Sequence, residues 1–451
     1  MNIVHYFLGP ERAGGLNKYV RDLVLAQRAA GFNVTLLYPG GGWRRGKTKI
    51  VRDHSWNSLD VWRIINPPPV VLLLGVKKPE RMLENADRIP AGTREFLAAV
   101  QPDVVHIHTW MGFPAALLAS VKDIGCPVIY SAHDYFGLCP RVNWIRNDGS
   151  ICARGSNEDC TQCNDSAPSC FFLQLRNSPF LLRWLNRCDK IKSLLRRLKR
   201  RRPAAEFVQS VSVRNYDRLA DFYRGLWQKT DLLLFNSNVT REVFQHFFTM
   251  NSMTIPITHA DIIDRRRIRD FSSPVRRLIF LGSSSPYKGL PLLKRMLERL
   301  SRLGTKQWKL DVYGCGEVGP DPENSAISYH GGYRQEQLDE ILNAADFVIV
   351  PSVCYETFGF VVSEALSRGV PVLASATVGA RTLIERINPE FIFHREDELY
   401  KKLLRLINDN QPLTDFNSKL CNMPWFCSMQ GHVETISNVY RELTARKNNI
   451  K

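Results

Sequence analysis

The segment Ala344–Arg381, AADFVIVPSVCYETFGFVVSEALSRGVPVLASATVGAR, decides how this chain folds. Its apolar run Phe347–Val350, closed by Pro351 and Ser352, predicts a buried parallel strand, because a strand covered on both faces loses the alternation of apolar and polar residues. A polar loop follows. From Gly359 onward, Phe360, Val361, Ala365 and Leu366 leave one helical face for burial, and Gly369 before Val370-Pro371 stops the helix. The next strand is expected from Pro371 to Ala374. Strand, loop, helix, strand is half of a doubly wound sheet, in which ligands sit outside the carboxyl ends of the strands.

The loop is therefore where chemistry is sought. Glu356 lies before the helix and Glu364 within it; were the interval all helical, it would rise about 12 Å with the two side chains on neighbouring faces. A ligand as long as a sugar joined through a diphosphate to a ribose would touch both. Thr357, Phe358 and Gly359 would offer backbone N–H groups to an anion at the helix start. By themselves, the two glutamates read first as solvated residues flanking an ordinary helix.

Working outward, 451 residues suit two domains better than one core. An apolar content of 44% and a charged content of 23% are those of an ordinary globular enzyme. The longest apolar run, Val70–Val76, is far short of the roughly 20 residues of a membrane-spanning helix. Met1–Leu8 already reads as a first strand rather than a secretory signal, which gives a cytoplasmic expectation.

The first domain is expected over residues 1–265. Strand Asn2–Phe7 enters a turn with Gly14 and Gly15, then a helix Leu16–Ala30 and a strand Asn33–Tyr38. The glycines do not make a dinucleotide fingerprint; they allow either close backbone approach to a ligand or a tight strand-to-helix turn. Residues 41–100 have no clear pattern. It recovers with a strand to His108, a helix Ala115–Asp123 and a strand Val128–Ser131, which leads into His133 and Asp134. After an interruption, Asp231–Ser237 carries another strand, and Asp261–Asp270 reads as a linker. In the second domain, expected over 274–425, Leu278–Leu281 is a strand whose loop holds Gly282, Ser283, Lys288 and Gly289. Lys309–Tyr313 is another, ending at Gly314-Cys315-Gly316, and His330–Arg334 precedes a helix Gln335–Ala344.

These motifs resemble family-four retaining glycosyltransferases, whose donor-site signature PSVCYETFGFVVSEALSRGVPVLAS follows. The likeness extends to Gly14-Gly15, Pro102–His108, His133-Asp134, Phe235–Ser237, the Gly282 to Gly289 loop and Gly314-x-Gly316. It implies an α/β fold of the GT-B kind, two Rossmann-like doubly wound domains facing across a cleft, with a helix at 430–451 crossing back to the first. By the same resemblance the second domain binds a nucleotide sugar. Lys288 would contact the diphosphate together with Gly282 and Ser283, although Ser283 stands where relatives carry arginine and removes one charge-assisted contact. Glu364 would accept the ribose hydroxyls, Phe358 and Gly359 would line the phosphate, and Tyr333 and Arg334 would lie at the base. Glu356 and His133 would be the catalytic pair, Glu356 at the reacting sugar and His133 as a sugar contact with Asp134 behind it. No metal is expected to be obligatory for catalysis. The implied activity is a retaining, hexosyltransferase-like transfer to a glycan or lipid-linked acceptor in bacterial surface-polysaccharide or lipopolysaccharide synthesis. An idle sugar-nucleotide-binding scaffold, or an epimerase or phosphorylase of the same architecture, is the alternative.

Two insertions remain. Cys139, Cys152, Cys160 and Cys163 lie in a polar stretch, within an insert over 139–170, that has little apolar material to fold around. Four thiolates on a structural zinc would organise it, with Cys170 as a substitute ligand. The second is the basic helix over 181–202. Arg183–Arg202 holds ten basic residues against one acidic, with leucines at mostly helical intervals. That pattern suits either an anionic membrane surface, which would make the chain peripheral on the inner face of the cytoplasmic membrane, or leucines packed on its own domain. Nucleic acid is not expected as a partner.

Overall fold

The computed structural model describes residues 1–41, 46–152, 157–176 and 213–448. The basic helix expected over 181–202 lies outside the described residues. The chain divides into two compact units. One comprises 1–234, 247–253 and 435–451; the other comprises 235–246 and 254–434.

The first unit is built on β1 (Asn2–Tyr6), β2 (Asn33–Pro39), β3 (Lys49–Arg52), β4 (Asp60–Ile65), β5 (Val104–Ile107), β6 (Val128–Ala132), β7 (Leu232–Phe235) and β8 (Ser252–Thr254). They form one sheet in the order β3-β4-β2-β1-β5-β6-β7-β8. The β1, β2, β4, β5 and β6 ladders are parallel, and β3 runs antiparallel to β4 at the edge. Residues 41–100, without pattern in the sequence, supply β3, β4 and the helix Thr93–Val100. Both strands are short and only half buried, so neither alternation nor a continuous apolar run marks them.

The second unit contains β9 (Arg276–Leu281), β10 (Trp308–Tyr313), β11 (Val318–Pro320), β12 (Ile327–His330), β13 (Phe347–Val350), β14 (Val372–Ser375) and β15 (Ile392–Phe393). Their order is β11-β12-β10-β9-β13-β14-β15, parallel except at the β11 edge. Phe347–Val350 is buried throughout as its composition required. Each such side chain stabilises the fold by about 1.5–3 kcal/mol relative to exposure. The helix after the polar loop is short, Phe360–Leu366, with Gly359 as its N-cap at φ 97°. Glu356 thus sits in the loop outside the helix, and the all-helical spacing does not apply.

In both sheets the strand order reverses at one place. β1 lies between β2 and β5, and β9 lies between β10 and β13. Loops leaving two strands on either side of such a reversal diverge to opposite faces and open a crevice between them. In the first unit these loops begin at Phe7 and His108, and in the second at Gly282 and Pro351.

Candidate functional site

The second unit's switch point brings together residues far apart in the chain. Lys288, at the end of the β9 loop, places Nζ 2.8 Å from Glu356 Oε1 in the β13 loop. Ser352 Oγ donates to the same carboxylate oxygen. Burial pulls the Lys288 ammonium towards the neutral form, but the charge and hydrogen bond of Glu356, with Cys354 and Tyr287 adding to them, together outweigh it and the net shift is upward. The two loops are in backbone contact: a Cβ on Gly289, at φ 84°, would lie 1.8 Å from the Pro351 carbonyl oxygen, so only glycine fits there.

The Glu356 loop is laced to the segment after β14. The Glu356 N–H donates to Thr377 O at 3.0 Å, Gly379 N–H to Glu356 O at 3.1 Å, and Ala380 N–H to Phe358 O at 2.7 Å. Ser375 and Thr377 hydroxyls both donate to Ser352 O at 2.6 Å. Ser237 and Thr240 hydroxyls donate to Thr357 O at 2.8 and 3.0 Å. A polar loop with its carbonyls thus engaged holds one shape, and its carboxylate is pre-positioned. Gly359 adds a close approach, since a Cβ there would meet Glu356 Oε2 at 3.0 Å.

Glu364 is separately held and buried, at 7% exposure. His259 Nε2 lies 3.2 Å from its Oε1, and Gln335 Nε2 lies 3.5 Å from the same oxygen. The backbone N–H of Asp261 donates to His259 Nδ1, so a neutral His259 carries its proton on Nε2 and donates it to Glu364. Arg368 grips the Glu364 carbonyl at 3.0 Å and fixes that turn of helix. Tyr333, half-buried, has its phenol pushed up by burial and by the Glu364 charge. Tyr313, T-shaped to Tyr333, stacks on His330, whose Nε2 lies 2.7 Å from Asp311. Arg334 is exposed beside Glu336, and Ser283 is exposed in the β9 loop with Gly282 beneath it.

The first unit's switch point carries rings instead of ions. His5 on β1 and His106 on β5 are paired in register. His5 Nε2 meets Gln27 Oε1 at 2.8 Å, His5 Nδ1 meets His108 Nε2 at 3.0 Å, and His108 Nδ1 meets His133 Nε2 at 3.0 Å. His106 bonds Tyr440 through Nδ1 and Ser131 through Nε2. Gln27 Nε2 donates to the Tyr440 hydroxyl, which leaves Oε1 to accept from His5. The donor sense then runs in one direction, His133 to His108 to His5 to Gln27, with one proton on each ring. Burial holds the His5 imidazole down at about 4 and that of His108 well below the usual range. Among the described residues, His5, His106 and His108 are a trio of metal-capable side chains with ligand atoms within 4.8 Å of one another. Protein partners already occupy both nitrogens of each ring.

His133 therefore ends a buried relay, and Asp134 behind it is pushed up to about 6 by burial. Gly14, exposed, caps the helix that begins at Gly15. The preceding loop helps line a cavity of about 400 Å³, with Arg12, Tyr38, Asp53, His54, Trp56 and Arg63 in its wall. Tyr38 donates to Asp53 Oδ2 at 2.5 Å, and burial with the nearby Arg176 holds Arg12 down at about 10. The structure thus joins Lys288 to Glu356 and His133 to His108, and gives Glu364 its own partners. It adds Ser352, His259 and Gln335, of which only Ser352 stood in a sequence motif. His259 lay just before the expected linker Asp261–Asp270, and contacts across the fold carry no local signal.

Residues 13–153 match the model described as Glycosyltransferase Family 4, and residues 275–409 that described as Glycosyl transferases group 1. The chain carries two glycosyltransferase domains. Among curated proteins, an uncharacterized glycosyltransferase of Methanocaldococcus jannaschii is 28% identical over 141 residues, 29% of this chain and 35% of that protein. The sulfoquinovosyl transferase of Arabidopsis thaliana is 25% identical over 197 residues, 42% of this chain and 35% of that protein. Each match therefore spans about a third of the relative's length. Among solved structures, sucrose-phosphate synthase from Thermosynechococcus elongatus is similar over 98% of this chain and 99% of its own, with a TM-score of 0.57 at 16% identity. The Anabaena protein HepE in complex with UDP and glucose covers 97% and 99%, with a TM-score of 0.55 at 15% identity. WaaG, a glycosyltransferase involved in lipopolysaccharide biosynthesis, covers 97% and 99%, with a TM-score of 0.53 at 14% identity. Identities this low speak for the fold alone, which is the GT-B glycosyltransferase fold of two Rossmann-like units. Among the described residues, no helix is long and apolar enough to cross a membrane.

Proposed function

We propose that this glycosyltransferase moves a sugar from a nucleotide-sugar donor to a glycan or lipid-linked acceptor, with retention of anomeric configuration. The observation that carries the reading is the ion pair of Lys288 and Glu356, on two loops of one topological switch point, with the separately braced Glu364 in the helix that follows the second loop. The arrangement suits a ligand that is anionic in the middle and hydroxylated at both ends.

In this reading Lys288 leaves Glu356 for the donor diphosphate and stabilises the charge that grows on it as the bond to the sugar breaks. Glu356 then takes donor-sugar hydroxyls, and the laced loop keeps it in place without reorganisation. Glu364, held by His259, accepts the ribose hydroxyls. The N–H groups of Phe358 and Gly359 face the phosphates, with Gly282 and Ser283 under them, and Tyr333 and Arg334 border the base. In the first unit Gly14 and Gly15 offer backbone to a ligand, His133 contacts a sugar, and the cavity lined by Arg12, His54 and Arg63 takes an acceptor bearing hydroxyls and an acid group.

The similarity to a protein bound to UDP and glucose supports a nucleotide-hexose donor. That to an enzyme of lipopolysaccharide biosynthesis supports a role in bacterial surface-polysaccharide assembly. A lipid-linked acceptor would place the protein on the inner face of the cytoplasmic membrane, with the basic residues of 181–202 against anionic lipid. Incubation with a panel of nucleotide sugars and membrane extract, followed by mass spectrometry and NMR of the new linkage, tests the whole reading. One donor yielding a product of unchanged anomeric configuration is expected. Donor isomerisation, phosphate-dependent cleavage, an inverted linkage or no turnover with any donor would overturn it.

A further inference from the structure

The segment that follows His133 carries four thiols, and the glycosyl-transfer reading uses none of them. Cys139 is buried, and its backbone N–H donates to Tyr135 O at 2.8 Å, so it sits one turn beyond the His133-Asp134 pair. The chain turns at once, with Val142 N–H on Cys139 O at 2.9 Å. It then runs into a small hairpin in which Ile145 bridges Ile151 and Cys152 N–H donates to Trp144 O at 2.8 Å. Cys152 thus stands at the hairpin's end, directly across from Trp144. The helix Asn157–Cys163 presents Cys160 and Cys163 three residues apart, on one side. Arg141 ties this helix to the hairpin, since its guanidinium reaches Ile145 O at 3.2 Å and Cys163 O at 3.4 Å.

We propose that Cys139, Cys152, Cys160 and Cys163 hold one structural zinc ion, which fastens the insert to the strand end carrying His133.

Three features fit thiolate ligation. The backbone N–H groups of Arg141 and Trp144 lie by the Cys139 thiol, and that of Asn147 by the Cys163 thiol, where each favours sulfur carrying negative charge. Cys139 and Cys163 feel each other and Cys152, while Cys160 and Cys163 both bear on Tyr216, so the four thiols share one neighbourhood. The guanidinium groups of Arg141 and Arg146 lie close to Cys163 and would offset the net negative charge of four thiolates on a divalent ion.

The turn after Cys139 also holds Val142 at φ 76° and Trp144 at φ 59°. A β-branched residue adopts that left-handed conformation only where the surrounding structure holds it. Cys170 is not a ligand in this arrangement, because its sulfur faces Lys78 O and the carboxylates of Glu80 and Glu84. Among the described residues the sulfurs are not closed to within 4.8 Å as the histidine trio is. Zinc–sulfur bonds of about 2.3 Å would therefore draw the helix towards the hairpin.

Elemental analysis of the full chain, purified without chelator and dialysed against metal-free buffer, tests this independently of any transferase activity. One zinc per chain is expected, released in step with four thiols when a mercurial is titrated in the presence of a chromogenic chelator. The double variant Cys160→Ser with Cys163→Ser should lose the metal, and Cys170→Ser should retain it. If the double variant does not fold, the stoichiometry and mercurial titration of the wild-type chain decide alone. Zinc-free protein whose four thiols alkylate without denaturant, a disulfide among them, iron in place of zinc, or metal retained in the double variant would each overturn the site.

Discussion

The two switch points are built alike and furnished differently. In the second unit the loops leaving β9 and β13 carry a charged pair, Lys288 and Glu356, with the lysine side chain 32% exposed. In the first unit β1, β5 and β6 end in neutral rings, His5, His108 and His133, hydrogen-bonded in a line and buried. The difference follows from what each can do without water. Ions at an accessible crevice can exchange one partner for another, so Lys288 can leave a carboxylate for a phosphate. Neutral imidazoles in a dry core can only hand on hydrogen-bond direction, which fixes how His133 is presented. One site is arranged to respond to charge, the other to stay unchanged.

Substitutions in the charged site test that contrast most strongly. Glu356→Ala is expected to lower turnover by ~10²–10³, the scale for losing one pre-organised polar group at a reacting centre, while nucleotide affinity changes little. Glu364→Ala should instead weaken nucleotide binding by roughly 10- to 100-fold, as for a buried hydrogen-bonded carboxylate worth about 1.5–3 kcal/mol. Initial rates and calorimetry with nucleotide separate the two. Unchanged turnover in the first variant, or unchanged affinity in the second, would dissolve the division of labour between the glutamates.

The neutral site makes a smaller prediction, in stability. His5 is held at about 4 in the folded chain, and burial holds His108 well below its usual value, against 6.5 for a free imidazole. A group whose folded value is depressed contributes no penalty above pH 6.5. As pH falls from 6.5 towards 4, the unfolded chain takes up a proton that the folded ring refuses, and stability drops. Asp134 runs the other way: its folded value of about 6 lies above the unfolded 3.8, so its contribution is present below 3.8 and lost as pH rises through 6. Two histidines against one carboxylate leave a net loss on acidification. His5→Gln should make the fall shallower, by up to about 1.4 kcal/mol per pH unit, in denaturant titrations between pH 6.5 and 4. Identical slopes for the two proteins would mean that the relay is protonated in the folded chain and is not a neutral line.

The sequence by itself determined the central strands of both sheets and the family signature. Phe347–Val350 could only be a covered strand, the helix Ala115–Asp123 lies where its pattern placed it, and the two glutamates stood in a motif. These features are local, because a run of apolar side chains or a glycine stop acts through its own neighbours in the chain. Residues 49–65 gave no such signal, since these short half-buried strands owe their place to pairing, β4 on β2 and β3 on β4, rather than to their own composition. The pairing of Lys288 with Glu356, the bracing of Glu364 by His259 and the line of rings behind His133 were decided by tertiary structure alone. Each joins residues 22 to 105 positions apart. What brings them together is the reversal of strand order at β1 and β9, which places the ends of non-consecutive strands side by side.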